Sequence, residues 1–346
     1  MKEVLSKADA GVAGGCSGWR NEHFKGAAET DLGLAALATI MLAMAQGDCG
    51  SPYSENGNMH VWDASRLIAL VKGDEWTGAE NTRPIAIGET LRRLTGKCLL
   101  RARRDVIERR ALTIRNFAFT SDGCSNVVKL VQLYTHEHPD HVVLTTDVET
   151  AFQSAPRTQM ERALYEDEGL RPLLPYFYSL YADEAALYFG DDVLKSREGC
   201  QQGCTLGTLL YVLSILPVIL QLMDEFPDCM ILGSSDDYYI CGPPEEAAAC
   251  LRRYGVLLAE RDQRLKFSKS WAYSASAAAL THADIVALHD DLQVRLTARG
   301  IGVLGSPVGN GEFTHDFVMT KVRKNQELLR EIEALGAHDN AAAAHR

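Results

Sequence analysis

The chain lacks a basic excess, paired cysteines and any apolar run long enough to cross a bilayer. Its net charge is −11 over 346 residues, whereas a protein that grips phosphates normally carries a basic face. Its nine cysteines are an odd number with no CxxC pair, and the closest two, Cys200 and Cys204, have no histidine cluster beside them. This spacing argues against a zinc site and for free thiols in a reducing compartment. The longest apolar stretches, Leu34–Met44 and Leu209–Met223, fall short of the roughly 20 residues a bilayer requires. Pro217 interrupts the second, so both read as buried helices and no membrane partner is expected. No apolar segment follows MKEVLSKADA, so a secretory signal is not expected and an intracellular location is. The apolar and charged fractions, 46% and 23%, are ordinary for a globular protein and by themselves name no function.

What the chain does have is local contrast. Ten Arg or Lys residues lie between Arg83 and Arg115, against Glu89, Asp105 and Glu108. Such a strip is either a solvated helix face or a nucleic-acid surface, since screening makes the nearby field matter more than the total. Residues 1–30 are Gly- and Ala-rich and read as a loop before a helix over Asp31–Ala45, followed by a polar connection to about Asn58. SRLIALVK (Ser65–Lys72) and Arg83–Ile87 read as strands around a turn-rich loop, Gly73–Thr82. Apolar residues at helical spacing from Glu89 to Arg110 predict one helix with its arginines on the opposite face. Further helices are expected over Asn126–Tyr134, Thr158–Glu168, Thr208–Met223, Glu245–Glu260 and Lys321–Leu335. AALYF and DVLKS read as a hairpin turning near Gly190–Asp191. HVVLTT (His141–Thr146), Cys229–Leu232, Tyr238–Cys241 and Ile301–Pro307 read as strands, and the Ala-rich tail after Gly336 as frayed. Strands and helices alternate without βαβ spacing, which predicts an α+β fold.

Two features carry chemistry. Asp236 and Asp237 lie between short apolar strands, at the expected tip of a tight hairpin. Adjacent carboxylates repel each other and resist desolvation, so a partly buried pair implies a nearby cation; an ordinary solvated turn is the other reading. Asp147 ends a buried-looking strand and is either a helix N-cap or a third member of a carboxylate cluster. Three such carboxylates would suit Mg²⁺, with Mn²⁺ as a substitute.

The segments around these acids, in their order, resemble the reverse transcriptases of non-LTR retrotransposons. RPIAIGETLRRLTGKCL (Arg83–Leu99) is similar to their fingers segment, LTTDVETAF (Leu144–Phe152) to motif A, and SREGCQQGCTLGTLLY (Ser196–Tyr211) to motif B. SSDDYYICGPPEEA (Ser234–Ala247) resembles motif C, LKFSKSWAY (Leu265–Tyr273) motif D, and IGVLGSPVG (Ile301–Gly309) motif E. The likeness spans Ser65 to Gly309, about seven tenths of the chain. It implies a right-hand polymerase: an N-terminal extension (1–60), fingers (61–140), a palm (141–310) with a fingers insertion near 176–215, and a thumb remnant with tail (311–346). The palm would be an antiparallel sheet backed by helices, and the thumb would be truncated.

The implied function is RNA-directed DNA synthesis, adding dNTPs to a DNA primer on an RNA template; the alternative is a catalytically impaired or repurposed fold that binds nucleic acid. Asp147, Asp236 and Asp237 would hold metal. Lys269 would be the acid, and Lys72, Arg83, Phe152, Gln202 and Gly203 would bind the nucleotide, Phe152 as the gate against a ribose 2′-hydroxyl. Leu304 and Gly305 would belong to the primer grip. The resemblance also implies a nuclear location and an endonuclease or other retroelement protein as partner, since no endonuclease or zinc-knuckle segment is seen. The chain departs from the family at Ser234, where an aromatic is usual, and at Cys204–Thr205, where Asp-Pro is usual.

Overall fold

The structure, a computed structural model, describes residues 1–48, 62–72, 78 and 81–334. It is a mixed helix-and-strand protein with several small sheets. The strands in chain order are β1 (Ser65–Val71), β2 (Thr82–Gly88), β3 (Val142–Thr145), β4 (Ala185–Phe189), β5 (Asp192–Ser196), β6 (Met230–Ser234), β7 (Asp237–Gly242), β8 (Trp271–Tyr273), β9 (Arg295–Thr297), β10 (Gly300–Val303) and β11 (Ser306–Gly309). The chain divides into two compact units. Unit 1 comprises Met1–Ser121, Val148–Glu225 and Tyr254–Leu265; unit 2 comprises Asp122–Asp147, Phe226–Arg253 and Lys266–Arg346. The expected polar connection after Asp48, most of the Gly73–Thr82 loop and the tail after Gly336 lie outside the described residues.

Unit 1 holds a sheet of order β2-β1-β4-β5. β1 and β2 pair antiparallel from Ser65↔Gly88 to Val71↔Thr82, β4 runs parallel to β1, and β5 folds back on β4. Gly190, at φ +59°, makes the β4–β5 turn where the sequence predicts it. The core is the helix Gly207–Glu225, which buries Leu209 to Leu216 and then Val218, Ile219 and Leu222. By length and composition this helix could span a bilayer, and two thirds of its apolar window is buried inside the protein, as in a core helix. Pro217 stands at an exposed position, and its missing N–H leaves the Leu213 carbonyl, one turn earlier, without its helical partner.

Three expectations need correction here. The stretch Glu89–Arg110 is two helices, Thr90–Ala102 and Arg104–Leu112, broken at Arg103. One straight helix would set Ile107 about 220° around the axis from Leu94. The break lets Leu91 and Leu94, and then Ile107, Ala111 and Ile114, all be buried. Its arginines do not share one solvent face: Lys97, Arg101, Arg104 and Arg109 are exposed, but Arg92 is buried. Residues 1–30 also contain helices, Lys2–Ser6 and Asn21–Ala27. Val4 and Leu5 join Leu37, Met41 and Met44 in a cluster against Leu91 and Leu94.

Unit 2 is built on a sheet of order β6-β7-β3-β8-β9, antiparallel except for β8 with β9. β3 is its central strand. Val142, Val143 and Leu144 are all buried, and β-branched residues suit a strand covered on both faces. The helix Gly123–Glu137 buries Val127, Val128 and Val131 and packs on β3 and β6. The expected late strand Ile301–Pro307 is instead the hairpin β10–β11, folded at Leu304–Gly305. Both turn residues have positive φ, +44° and +81°, the requirement of a tight two-residue hairpin turn. The following helix, Gly311–Ala334, starts ten residues before the predicted Lys321, because Asn310 Oδ1 accepts the Phe313 N–H (2.8 Å) and caps it.

Replacing Leu144 by alanine should lower unfolding stability by about 2–5 kcal/mol in a urea titration. A loss under about 1 kcal/mol would show that β3 is not the packed centre of unit 2.

Candidate active site

In unit 2 the three candidate acids come from neighbouring strand ends. β3 pairs with β7 from Val142↔Gly242 to Thr145↔Tyr239. The ladder then continues one step, as Thr146 N–H (3.1 Å) and Oγ1 (3.0 Å) both donate to the Tyr238 carbonyl. The next residue in the same register is Asp147, opposite Asp237. Asp237 opens β7 across from Ser234, and Ser235, at φ +59°, turns the chain between β6 and Asp236. Asp147 and Asp236 are partly buried and Asp237 is exposed. Carboxylate oxygens are the donors that a hard divalent cation takes. Among the described residues no group of three His, Cys, Asp or Glu side chains already converges on one point.

Lys269 Nζ lies 3.6 Å from Asp147 Oδ2, with side chains 48% and 40% exposed. A pair this open is screened by water and contributes at most about 1 kcal/mol. Its position is set by the backbone: Lys266 N–H donates to the Asp147 carbonyl (2.8 Å) and Lys269 N–H to the Lys266 carbonyl (2.9 Å). Ser234 is 7% exposed, with its hydroxyl 3.9 Å from the Cys124 thiol. Gly233 has no room for a side chain, because a Cβ there would overlap the Asp237 carbonyl and crowd the Tyr238 ring.

Tyr239 links these acids to the second candidate element of the unit. Its hydroxyl accepts the Leu304 N–H (3.0 Å), tying the β10–β11 turn to β7. Burial, and then the nearby charge of Asp237, push this phenol well above its usual range. Lys321 Nζ donates to the Gly305 carbonyl and lies over the Phe317 ring, so the turn is held from both sides.

In unit 1 the structure brings Phe152, Gln202, Gly203 and β2, which carries Arg83, into one backbone network. Phe152 lies in the helical turn Ala151–Ser154, and its ring stacks on Tyr211 (5.3 Å between centroids, 21° between planes). Its carbonyl accepts the Cys200 N–H (2.8 Å), and the Gln202 carbonyl accepts the Ala86 N–H (2.7 Å). Gly203 has φ +107°, and a Cβ there would overlap the Ala86 carbonyl, so the close approach it permits is to β2. Lys72 and Arg83 are both exposed, and Lys72 N–H donates to the Asn81 carbonyl (2.7 Å). A cleft of about 400 Å³ lies beside this network, lined by Gln153, Lys195, Arg197, Cys200 and Gln202 among others.

Arg157 was not singled out by the sequence. Its guanidinium donates to the carbonyls of Gly199 (2.9 Å), Ser196 (2.9 Å) and Tyr181 (3.2 Å) and lies over the Tyr181 ring. Burial lowers its pKa. It fixes the loop that leads into Gln202, and no spacing in the chain announces that role.

No protein-family model matches the chain, and no curated protein matches it.

Gly233→Ala should cost about 1–3 kcal/mol of stability, because the new methyl group must push the Asp237 carbonyl or the Tyr238 ring aside. Chemical denaturation measures it, and an unchanged midpoint would mean that the β6–β7 hairpin is looser than described.

Proposed function

We propose that the chain is a polymerase of the reverse-transcriptase type, adding dNTPs to a DNA primer on an RNA template, with the five-stranded sheet of unit 2 as its palm. The observation that carries this reading is the β3–β7 register, which aligns Asp147 with the Asp236–Asp237 hairpin. It agrees with the order of motifs in the sequence. Fold analogy alone would not carry an activity; paired strand ends with three carboxylates offer a specific chemistry.

In this reading Asp147, Asp236 and Asp237 hold Mg²⁺, or Mn²⁺ in its place. When bound, such ions make the primer 3′-hydroxyl easier to deprotonate and stabilise the charge on departing pyrophosphate. Lys269, beside Asp147, gives a proton to the pyrophosphate. Arg83 and Lys72 bind the triphosphate, with the fork of Arg83 suited to paired phosphate oxygens. Phe152, its ring supported by Tyr211, blocks a ribose 2′-hydroxyl, and Gln202 and Gly203 line the nucleotide. The Leu304–Gly305 turn holds the primer end.

A second reading, nucleic-acid binding without turnover, is favoured by the buried Ser234 hydroxyl beside Cys124, where the family resemblance calls for an aromatic. Primer extension separates the two. On an RNA template with Mg²⁺ and dNTPs, the parent should extend a DNA primer, and Asp236→Asn should lower the rate on the order of a hundred- to a thousandfold. No incorporation by folded parent protein, together with salt-dependent RNA binding that survives Asp236→Asn, would leave the second reading standing.

A further inference from the structure

A buried guanidinium is costly unless its N–H groups find acceptors. Arg92 is 3% exposed. Its Nη1 donates to the carbonyls of Asp63 (2.7 Å) and Trp62 (3.3 Å), and its Nη2 to Ser65 Oγ (3.0 Å) and Gln201 Oε1 (3.1 Å). Ser65 Oγ donates to the same Gln201 oxygen at 3.1 Å. The Arg92 carbonyl accepts the Tyr176 hydroxyl (2.7 Å), which pins the helical turn carrying the guanidinium. Gly88 makes the room: a Cβ there would overlap the Arg92 guanidinium. The glycine and the arginine of the GETLR segment are thus a matched pair.

The fork joins two places far apart in sequence. One is the start of β1, through Asp63 and Ser65. The other is Gln201, the residue before Gln202 and Gly203. Gln201 N–H also donates to the Tyr181 hydroxyl (3.2 Å), and the Gln202 carbonyl then takes the Ala86 N–H of β2. Fixing the Gln201 side chain therefore fixes the backbone of the next two residues against the β1–β2 hairpin.

We propose that Arg92 is a positioning residue: by holding the Gln201 side chain, it sets the Gln202–Gly203 turn against β2 in the geometry that receives a nucleoside triphosphate. The identity of that ligand rests on the polymerase reading, whereas the tether can be tested without it. A lysine at 92 would keep the charge and lose the planar fork. A glutamate at 201 would keep an acceptor oxygen for Arg92, and a leucine would not.

The experiment compares the full chain with Arg92→Lys, Gln201→Leu and Gln201→Glu, reading amide hydrogen exchange at Ala86 and single-nucleotide incorporation with dNTP. Arg92→Lys and Gln201→Leu should speed Ala86 exchange by about tenfold. They should raise KM for the dNTP by about tenfold with kcat nearly kept. Gln201→Glu should stay near the parent in both. Folded Arg92→Lys and Gln201→Leu variants with parental Ala86 exchange would overturn the proposal, as would a fall in kcat with KM unchanged. If Arg92→Lys does not fold, the two Gln201 variants decide alone. A parent that incorporates no dNTP would remove the polymerase reading, and Ala86 exchange would still decide whether the tether exists.

Discussion

Like-charged carboxylates can share a small space only where water, a hydrogen-bond donor or a cation offsets their repulsion. Unit 2 sets three of them at neighbouring strand ends, and the β3–β7 and β6–β7 pairings place them there. β3 is central and fully covered, so its register with β7 cannot slip without turning Leu144 or Val143 away from the packing they fill. Asp147 is the first residue beyond the paired and buried run. Gly233 lets the β6–β7 turn close beside it, and Tyr239 carries the constraint on to the Leu304–Gly305 turn. The acids therefore stand on rigid elements, while their side chains keep access to water.

Unit 1 meets a different problem, that of holding a glycine-rich loop still. The segment from Ser196 to Gly207 has little regular hydrogen bonding of its own, and two arginines, Arg157 half-buried and Arg92 buried, supply the missing order. Arg157 gathers the carbonyls of Ser196 and Gly199, and Arg92 gathers Gln201 and the start of β1. Each guanidinium satisfies several acceptors at once, which is how a buried cation becomes compatible with a folded interior. Gly88 and Gly203 are the space that this arrangement consumes.

Much of this was legible in the sequence. β-Branched runs announced β3 and the hairpin strands, Gly190–Asp191 announced its turn, and the acids stood out because apolar strands flank them. The misses have physical causes. The break at Arg103 is demanded by the phase of Ile107 and Ala111 relative to Leu94, and phase errors are hard to see over so short a span. The β10–β11 turn was hidden because Leu304, a residue that rarely takes positive φ, occupies one of its two central positions. Arg92 read as a solvent-facing member of a basic strip, since its partners Ser65 and Gln201 are distant in sequence. The contact that Gly203 makes with the Ala86 carbonyl was not legible either, because β2 lies more than a hundred residues earlier in the chain.

The central claim is that Asp147, Asp236 and Asp237 form one divalent-cation site. Titrating Mn²⁺ into the isotopically labelled chain and following paramagnetic broadening of its amide resonances tests it most directly. The proposal predicts saturable broadening centred on Asp147 and Ser235–Asp237, displaced by Mg²⁺ and lost in Asp147→Asn. Broadening scattered over the acidic surface, or unaffected by that substitution, would contradict it.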